Sequence, residues 1–154
     1  MDPDTHQLCA EASGMSPVKS TTAAVAAPVM TPWTPGPVDP GDAPVVVSVT
    51  EFSAHHRRVL PGVAANGLRM RMGWYAMSGA VGMWLWMLPV AGRGGSVSVW
   101  ASDEDLDRFV GLPHHVDIMR RYGDRGTVRS TTWTAERFDR SVILERARDW
   151  IAAS

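Results

Sequence analysis

The chain is almost without cysteine. Cys9 is the only one in 154 residues, which excludes an intrachain disulfide framework and a cysteine-based metal site. It also lacks a long apolar run: the stretch from Ala80 to Pro89 is too short to cross a bilayer as a helix. No positively charged region precedes the short, Pro28-interrupted apolar run Ala23 to Met30, so no secretory signal is read. Charge of one sign is missing as well. The net charge is -1, and the arginines after Val45 are scattered rather than clustered, which argues against a nucleic-acid partner. The expectation is a soluble, cytoplasmic protein with no membrane partner. Phosphate loops and nucleotide fingerprints are absent: "GRGGS" follows a strand but leads into another strand, so no helix N-terminus waits there for a phosphate. There is no Ser-His-Asp signature either.

What is present divides into two parts. Residues 1–43 are rich in Pro, Ala, Thr, Ser and Asp, keep no period of two or 3.6, and read as a tail that is disordered or draped over a domain. Trp33, alone in that segment, reads as incidental sequence rather than as an anchor in a groove. Residues 45–154 carry periodic structure and, at 45% hydrophobic overall, suffice for one core.

Val45 to Phe52 is a β-branched strand. Ser53 is placed to cap a helix opening at "AHHRR", with a break at Pro61 and Val63, Leu68, Met72 and Tyr75 continuing at helical spacing. In "GAVGMWLWMLPVAG", Met83, Leu85 and Met87 point one way and Trp84, Trp86 and Leu88 the other, so the strand is covered on both faces. "GRGG" then turns into the strand "SVSVWAS". Ser102 with Glu104 and Asp105 starts a helix that breaks between Gly111 and Pro113 and ends at Gly123. "TVRSTTWTAE" is a fourth strand, and Phe138, Val142, Ile143, Ala147, Trp150 and Ile151 form the apolar stripe of a last helix.

The order β-α-β-β-α-β-α is a ferredoxin-like α+β arrangement with a C-terminal helix. Two helices on one face of a four-stranded antiparallel sheet leave the other face bare. A face of Trp and Met is too apolar to stay exposed, so a sheet-to-sheet homodimer closing an α+β barrel is expected.

The stretch "SVSVWASDEDLDRFVGLPHHVDIMRRYG" carries a resemblance. A strand ending in Trp100, a Ser-Asp-Glu helix start, Leu106, Phe109, a histidine and an apolar-basic segment resemble the dimeric α+β barrel superfamily, in its antibiotic-biosynthesis-monooxygenase-like and spheroidene-monooxygenase-like forms. The resemblance spans Val45 to Thr134 in topology and Ser96 to Tyr122 in residues. It implies a helix after the third strand that lines a pocket mouth, and hence a small tailoring enzyme of monooxygenase or cyclase type. Its ligand is expected to be an apolar, aromatic or polyketide-like metabolite, and no cofactor is expected because such substrates supply their own electrons to oxygen. Haem-degrading members use an Asn, Trp and His set. Here Asp105 and Leu106 stand three turns before His115 and the first strand has no Asn, which leaves only a simple His-ligated haem as an alternative. A non-catalytic ligand-binding or interaction module is the third reading.

Within that frame His115, rather than the adjacent His114, is the candidate general base or axial ligand, since neighbours on a helix point about 100° apart. Tyr75 and Arg129 are candidate donors to a substrate oxyanion. Trp84, Trp86, Trp100 and Trp133 are candidate walls of the pocket, as dry core or as an aromatic lining suited to flat ligands. His55 and His56, with Arg57 and Arg58, read as a solvated helix start or as contacts to an anionic substrate group, His55 and Arg58 being the residues assigned to the substrate. Sequence neighbours rarely chelate one ion, so no metal is expected there.

Overall fold

A computed structural model describes residues 26–153 of the chain. Residues 1–25 of the Pro-rich segment, with Cys9, lie outside the described residues. Six strands are present: β1 (Val29–Met30), β2 (Thr34–Pro35), β3 (Val45–Ala54), β4 (Ala80–Leu88), β5 (Arg93–Trp100) and β6 (Gly126–Ala135). Four α-helices accompany them: α1 (Leu60–Met72), α2 (Asp103–Val110), α3 (Pro113–Tyr122) and α4 (Arg140–Ala152).

The four long strands pair antiparallel in the order β4-β5-β3-β6, and β1 and β2 both add to the outer edge of β4. The central strand β3 holds its partners over nearly its full length, from Val46↔Trp100 to Ser53↔Arg93 on one side and from Val45↔Ala135 to Ala54↔Gly126 on the other. With α1 between β3 and β4 and α2–α3 between β5 and β6, this is the ferredoxin-like α+β arrangement with α4 added.

Alternation divides the sheet into two cores. Val45, Val47 and Val49 of β3, Val97 and Val99 of β5, and Trp84, Trp86 and Leu88 of β4 meet Ile143, Ala147 and Ile151 of α4. Val46, Met83 and Trp100 face the opposite way and meet Trp74, with Met70, Leu106 and Phe109 packed around them. The opposed directions expected for the Met and Trp sets of β4 are present.

The second sheet face is not bare. The buried stripe of α4 lies on it, and full burial of side chains such as Ile143 and Ile151 stabilises by about 1.5–3 kcal/mol each. Residues 30–38 cover more of it: Trp33 stacks on Trp84 with ring centroids 4.4 Å apart and on Phe138 at 5.5 Å. Trp33 is therefore an anchor, not incidental sequence. Gly82 makes that possible, because a Cβ there would collide with the Trp33 indole. The face expected to be bare is thus covered in part by the chain's own C-terminal helix and N-terminal strap.

Local departures have simple causes. Ser53 does not cap a helix; it remains in β3 and its hydroxyl donates to Glu51 at 3.1 Å. A 3₁₀ turn over Arg57–Val59 leads into α1, and Pro61 lies in the first turn of α1, where its missing N–H costs no hydrogen bond. The β4–β5 turn comes earlier than "GRGG", closing at Gly92 with φ 70°, so Arg93 already belongs to β5. The break between α2 and α3 falls where Gly111 and Pro113 put it, and Ser102 caps α2 by accepting from the Asp105 N–H at 3.2 Å.

Candidate functional site

The helix-covered face of the sheet has two contrasting ends. At the first, Trp100 closes β5 and its indole N–H donates to Ser98 at 2.9 Å, which fixes the ring. Trp74, in the turn after α1, packs edge-on to it with centroids 5.2 Å apart. Phe109 of α2 lies between them, 5.5 Å from Trp74 and 5.0 Å from Trp100, and touches His115 of α3 at 4.9 Å.

His115 is held by its backbone. Nδ1 lies 3.1 Å from the Val110 carbonyl oxygen, an acceptor only, so Nδ1 carries the proton and donates there. Nε2 is left without a hydrogen bond among the described residues. Burial lowers the pKa of the imidazole below its usual 6.5, and the neighbouring His114 pushes the same way, while the Val110 carbonyl acts in the opposite direction. The group is a neutral, oriented imidazole, and His114 beside it is exposed. The indole N–H of Trp74, 1% exposed, has no hydrogen-bond partner, a rare state for a buried donor.

The other end is wet. His55, His56 and Arg58, where β3 passes into α1, line a cleft of about 520 Å³ with Tyr122, Asp124 and Arg125 from the α3–β6 junction.

The remaining candidates are dispersed. Tyr75 is 73% exposed, on the turn beside Trp74. Arg129 belongs to the opposite sheet face, where it donates to Glu51 at 2.9 Å and stacks on Trp150 at 3.8 Å. Glu51, 2% exposed, also accepts two bonds from Arg93, at 3.0 and 2.6 Å, and Arg93 donates to the Ile151 carbonyl at 2.8 Å. Burial alone would raise the Glu51 pKa; the bonds from Arg93, Arg129 and Ser53 outweigh it and hold the carboxyl below its usual 4.5. Arg129 therefore fastens α4 to the sheet and does not join His115.

Of the four tryptophans expected to wall the pocket, Trp84, Trp86 and Trp133 pack on the α4 side, Trp133 under the Arg146 guanidinium at 4.5 Å, and Trp100 shares with Trp74 the core that contains Phe109, the ring against which His115 packs. The residues that sequence reasoning missed are Trp74, Tyr122 and Arg125. Trp74 reads as the end of an amphipathic helix, and Tyr122 meets its partner Asn66 across 56 residues, so local spacing carries no signal of either role.

Among the described residues no group of three or more His, Cys, Asp or Glu could hold a metal ion, and no helix is long and apolar enough to cross a membrane. For a haem ligated by His115, Nε2 is the nitrogen without a hydrogen bond among the described residues, while Phe109 packs on the ring and Trp74 and Trp100 are at most 1% exposed.

No family model and no curated protein matches the sequence. Solved structures do match in fold. A candidate monooxygenase from Lactobacillus acidophilus is 16% identical over 68% of this chain with a TM-score of 0.52, and this chain spans about half of it, 48%. SnoaB, a cofactor-independent oxygenase from Streptomyces nogalater, is 16% identical over 61% of this chain and 95% of its own, with a TM-score of 0.51. A candidate antibiotic-biosynthesis monooxygenase from Deinococcus radiodurans is 14% identical over 58% of this chain and 91% of its own, with a TM-score of 0.52. By topology the chain has the ferredoxin-like α+β fold, and it shares its fold with these solved structures.

Proposed function

We propose that this protein is a small monooxygenase-like tailoring enzyme that works without a resident cofactor on an enolisable or phenolic aromatic metabolite, with His115 as its general base. The observation that carries the reading is the state of that imidazole: neutral, with Nδ1 tied to Val110 and Nε2 unengaged in an aromatic wall. A base must be unprotonated and oriented before it is useful; the lowered pKa and the Val110 bond support that role. The cofactor-independent oxygenase SnoaB, similar in fold, supports the class of chemistry.

Phe109 stands where one ring of a flat substrate would lie, between two indoles and the imidazole. The helices that carry Phe109 and His115 break at Gly111–Leu112, which we take as the hinge of the segment, and α3 buries only Tyr122. Its outward swing admits the substrate ring. His115 Nε2 then takes a proton from a methylene or hydroxyl beside the ring. The unpartnered Trp74 N–H donates to the oxyanion that forms. The electron-rich anion reduces dioxygen directly: a CH₂ group and O₂ become C=O and water, so the substrate supplies every electron and no reductant is required.

Anthrone, which becomes anthraquinone by that stoichiometry, is the probe. The protein is expected to consume oxygen with anthrone, and His115→Ala to lower the rate by about 10²–10⁴-fold with an unchanged thermal transition. Equal rates for the two proteins overturn the assignment of His115.

A second reading is a non-catalytic binding module. Its support is that Trp74, Trp100 and Met83, each at most 1% exposed, already fill this end of the core. Saturable anthrone binding with no oxygen uptake would select it.

A further inference from the structure

The wet end of the helix layer is built differently and has an occupant of its own. Its floor is fastened by the backbone: the His55 N–H donates to the Arg125 carbonyl at 2.9 Å, and the Arg125 N–H donates to the Tyr122 carbonyl at 3.0 Å. Two chain segments far apart in sequence are thereby held side by side, with the first turn of α1 between them. Four donor side chains converge on the cleft, namely His55, His56, Arg58 and Arg125. None of the four side chains has a hydrogen-bond or ion-pair partner among the described residues. Asp124 also lines the cleft, yet it pairs with neither arginine; the ion pairs among the described residues are those of Glu51 and of Asp105.

Tyr122 adds a fifth donor. Its ring is 8% exposed and packs edge-on to Phe52 at 6.2 Å. Its hydroxyl accepts from the Asn66 amide at 3.0 Å, and Asn66 is itself fixed by donating to the Gly62 carbonyl at 2.8 Å. Asn66 is the donor in that bond, so the phenol keeps its own proton to give. Gly62 is required for this approach, because a Cβ there would lie 2.7 Å from the Tyr122 oxygen. The positive end of the α1 dipole points toward the same space.

We infer that this cleft is a binding site for a phosphate monoester of a small metabolite, separate from the aromatic site at His115. Two unpaired guanidiniums present planar forks that match phosphate oxygens, and a helix N-terminus favours a dianion. The volume, about 520 Å³, falls within the range of small-molecule sites and far exceeds a lone ion.

The test is a titration of the full chain with inorganic phosphate, followed by backbone amide NMR and calorimetry at constant ionic strength, with acetate and benzoate in parallel. Saturable shifts confined to residues 55–62 and 122–126 are expected. Each of Arg58→Ala and Arg125→Ala, both at exposed positions, is expected to weaken phosphate by about tenfold or more. Tyr122→Phe keeps the ring and is expected to weaken it by a smaller factor. Arg148→Ala on α4 and His115→Ala should leave it unchanged, so the phosphate site and the catalytic reading stand or fall separately. Non-saturable shifts, equal binding of acetate, tighter binding of benzoate, or full affinity in both arginine variants would each overturn the proposal.

Discussion

The two ends of one helix layer solve opposite problems with the same backbone. At the aromatic end the last residue of β5 is Trp100, fully buried, and Trp74 and Phe109 close over it so that His115 is cut off from water on one side. At the far end β3 runs out into His55 and His56, both exposed, and the cleft stays open between α1 and the α3–β6 junction. The first end keeps an imidazole neutral and leaves a buried N–H unspent. The second gathers cations without ion-pair partners among the described residues around an open cleft. Desolvation suits proton abstraction and oxyanion stabilisation; a hydrated, cationic mouth suits recognition of a charged group. Position along the strands, more than the fold, decides which chemistry each end can host.

The sharpest way to break this contrast is to remove the unspent donor. Trp74→Phe keeps an aromatic ring in the box and removes the N–H together with part of the volume of the buried indole. Loss of one donor to an oxyanion costs about 10²–10³-fold in turnover, and oxygen uptake with anthrone should fall by that order. Phosphate affinity should not move. The thermal transition should fall, because the smaller ring leaves a void at a fully buried site. Undiminished turnover per folded molecule would make the aromatic end packing and nothing more.

The opposite face of the sheet supplies the control common to both ends. Glu51 holds Arg93 and Arg129, and those two arginines reach the carbonyls of Ile151 and Trp150 at the end of α4. Glu51→Ala leaves both cations uncompensated and should cost about 3 kcal/mol by chemical denaturation. The carboxyl is depressed in the fold, so its stabilisation is complete above its unfolded value of 4.5 and is lost as pH falls through the folded value. Wild-type stability should therefore decline below pH 4.5, and the decline should be shallower in Glu51→Gln. Turnover and phosphate affinity per folded molecule should both survive the change; loss of one alone would tie that end to the α4 face.

How much of this was legible in the sequence follows the same division. Alternation in "MWLWML" placed Trp84 and Trp86 opposite Met83 and Leu85, and Gly111 with Pro113 located the α2–α3 break, because both signals are local. His115 stood out from the run that resembles the monooxygenase-like domains, and the structure places it half-buried against Phe109 with Nδ1 on the Val110 carbonyl. Tyr75 and Arg129 were chosen for chemistry at strand and helix positions, yet which sheet face a residue takes and what meets it there is a tertiary fact: Arg129 faces α4, and Tyr75 faces solvent. The dimer argument counted two helices and left out what α4 and Trp33 cover. The cleft was only half visible. His55 and Arg58 mark one wall, but Tyr122 and Arg125 reach it from the far side of the fold, through pairings that no spacing rule encodes.

The smallest expected effect separates the two ends by pH. Burial favours the uncharged form of His115, so its folded pKa lies below 6.5. A base is lost when it is protonated, and the acid limb of kcat/KM for anthrone should accordingly fall at a pH below 6.5 rather than at it. The linked stability has the matching sign: it is fully present above 6.5, and it is lost as pH falls through the folded value, because the unfolded chain takes up the proton first. His115→Gln keeps a donor to Val110 but cannot titrate, so its residual rate should be flat across that window and its stability should lose that portion of the pH dependence. An acid limb at or above pH 6.5 would mean that the imidazole is solvated, and the contrast between a dry end and a wet end would fail at the residue on which it depends most.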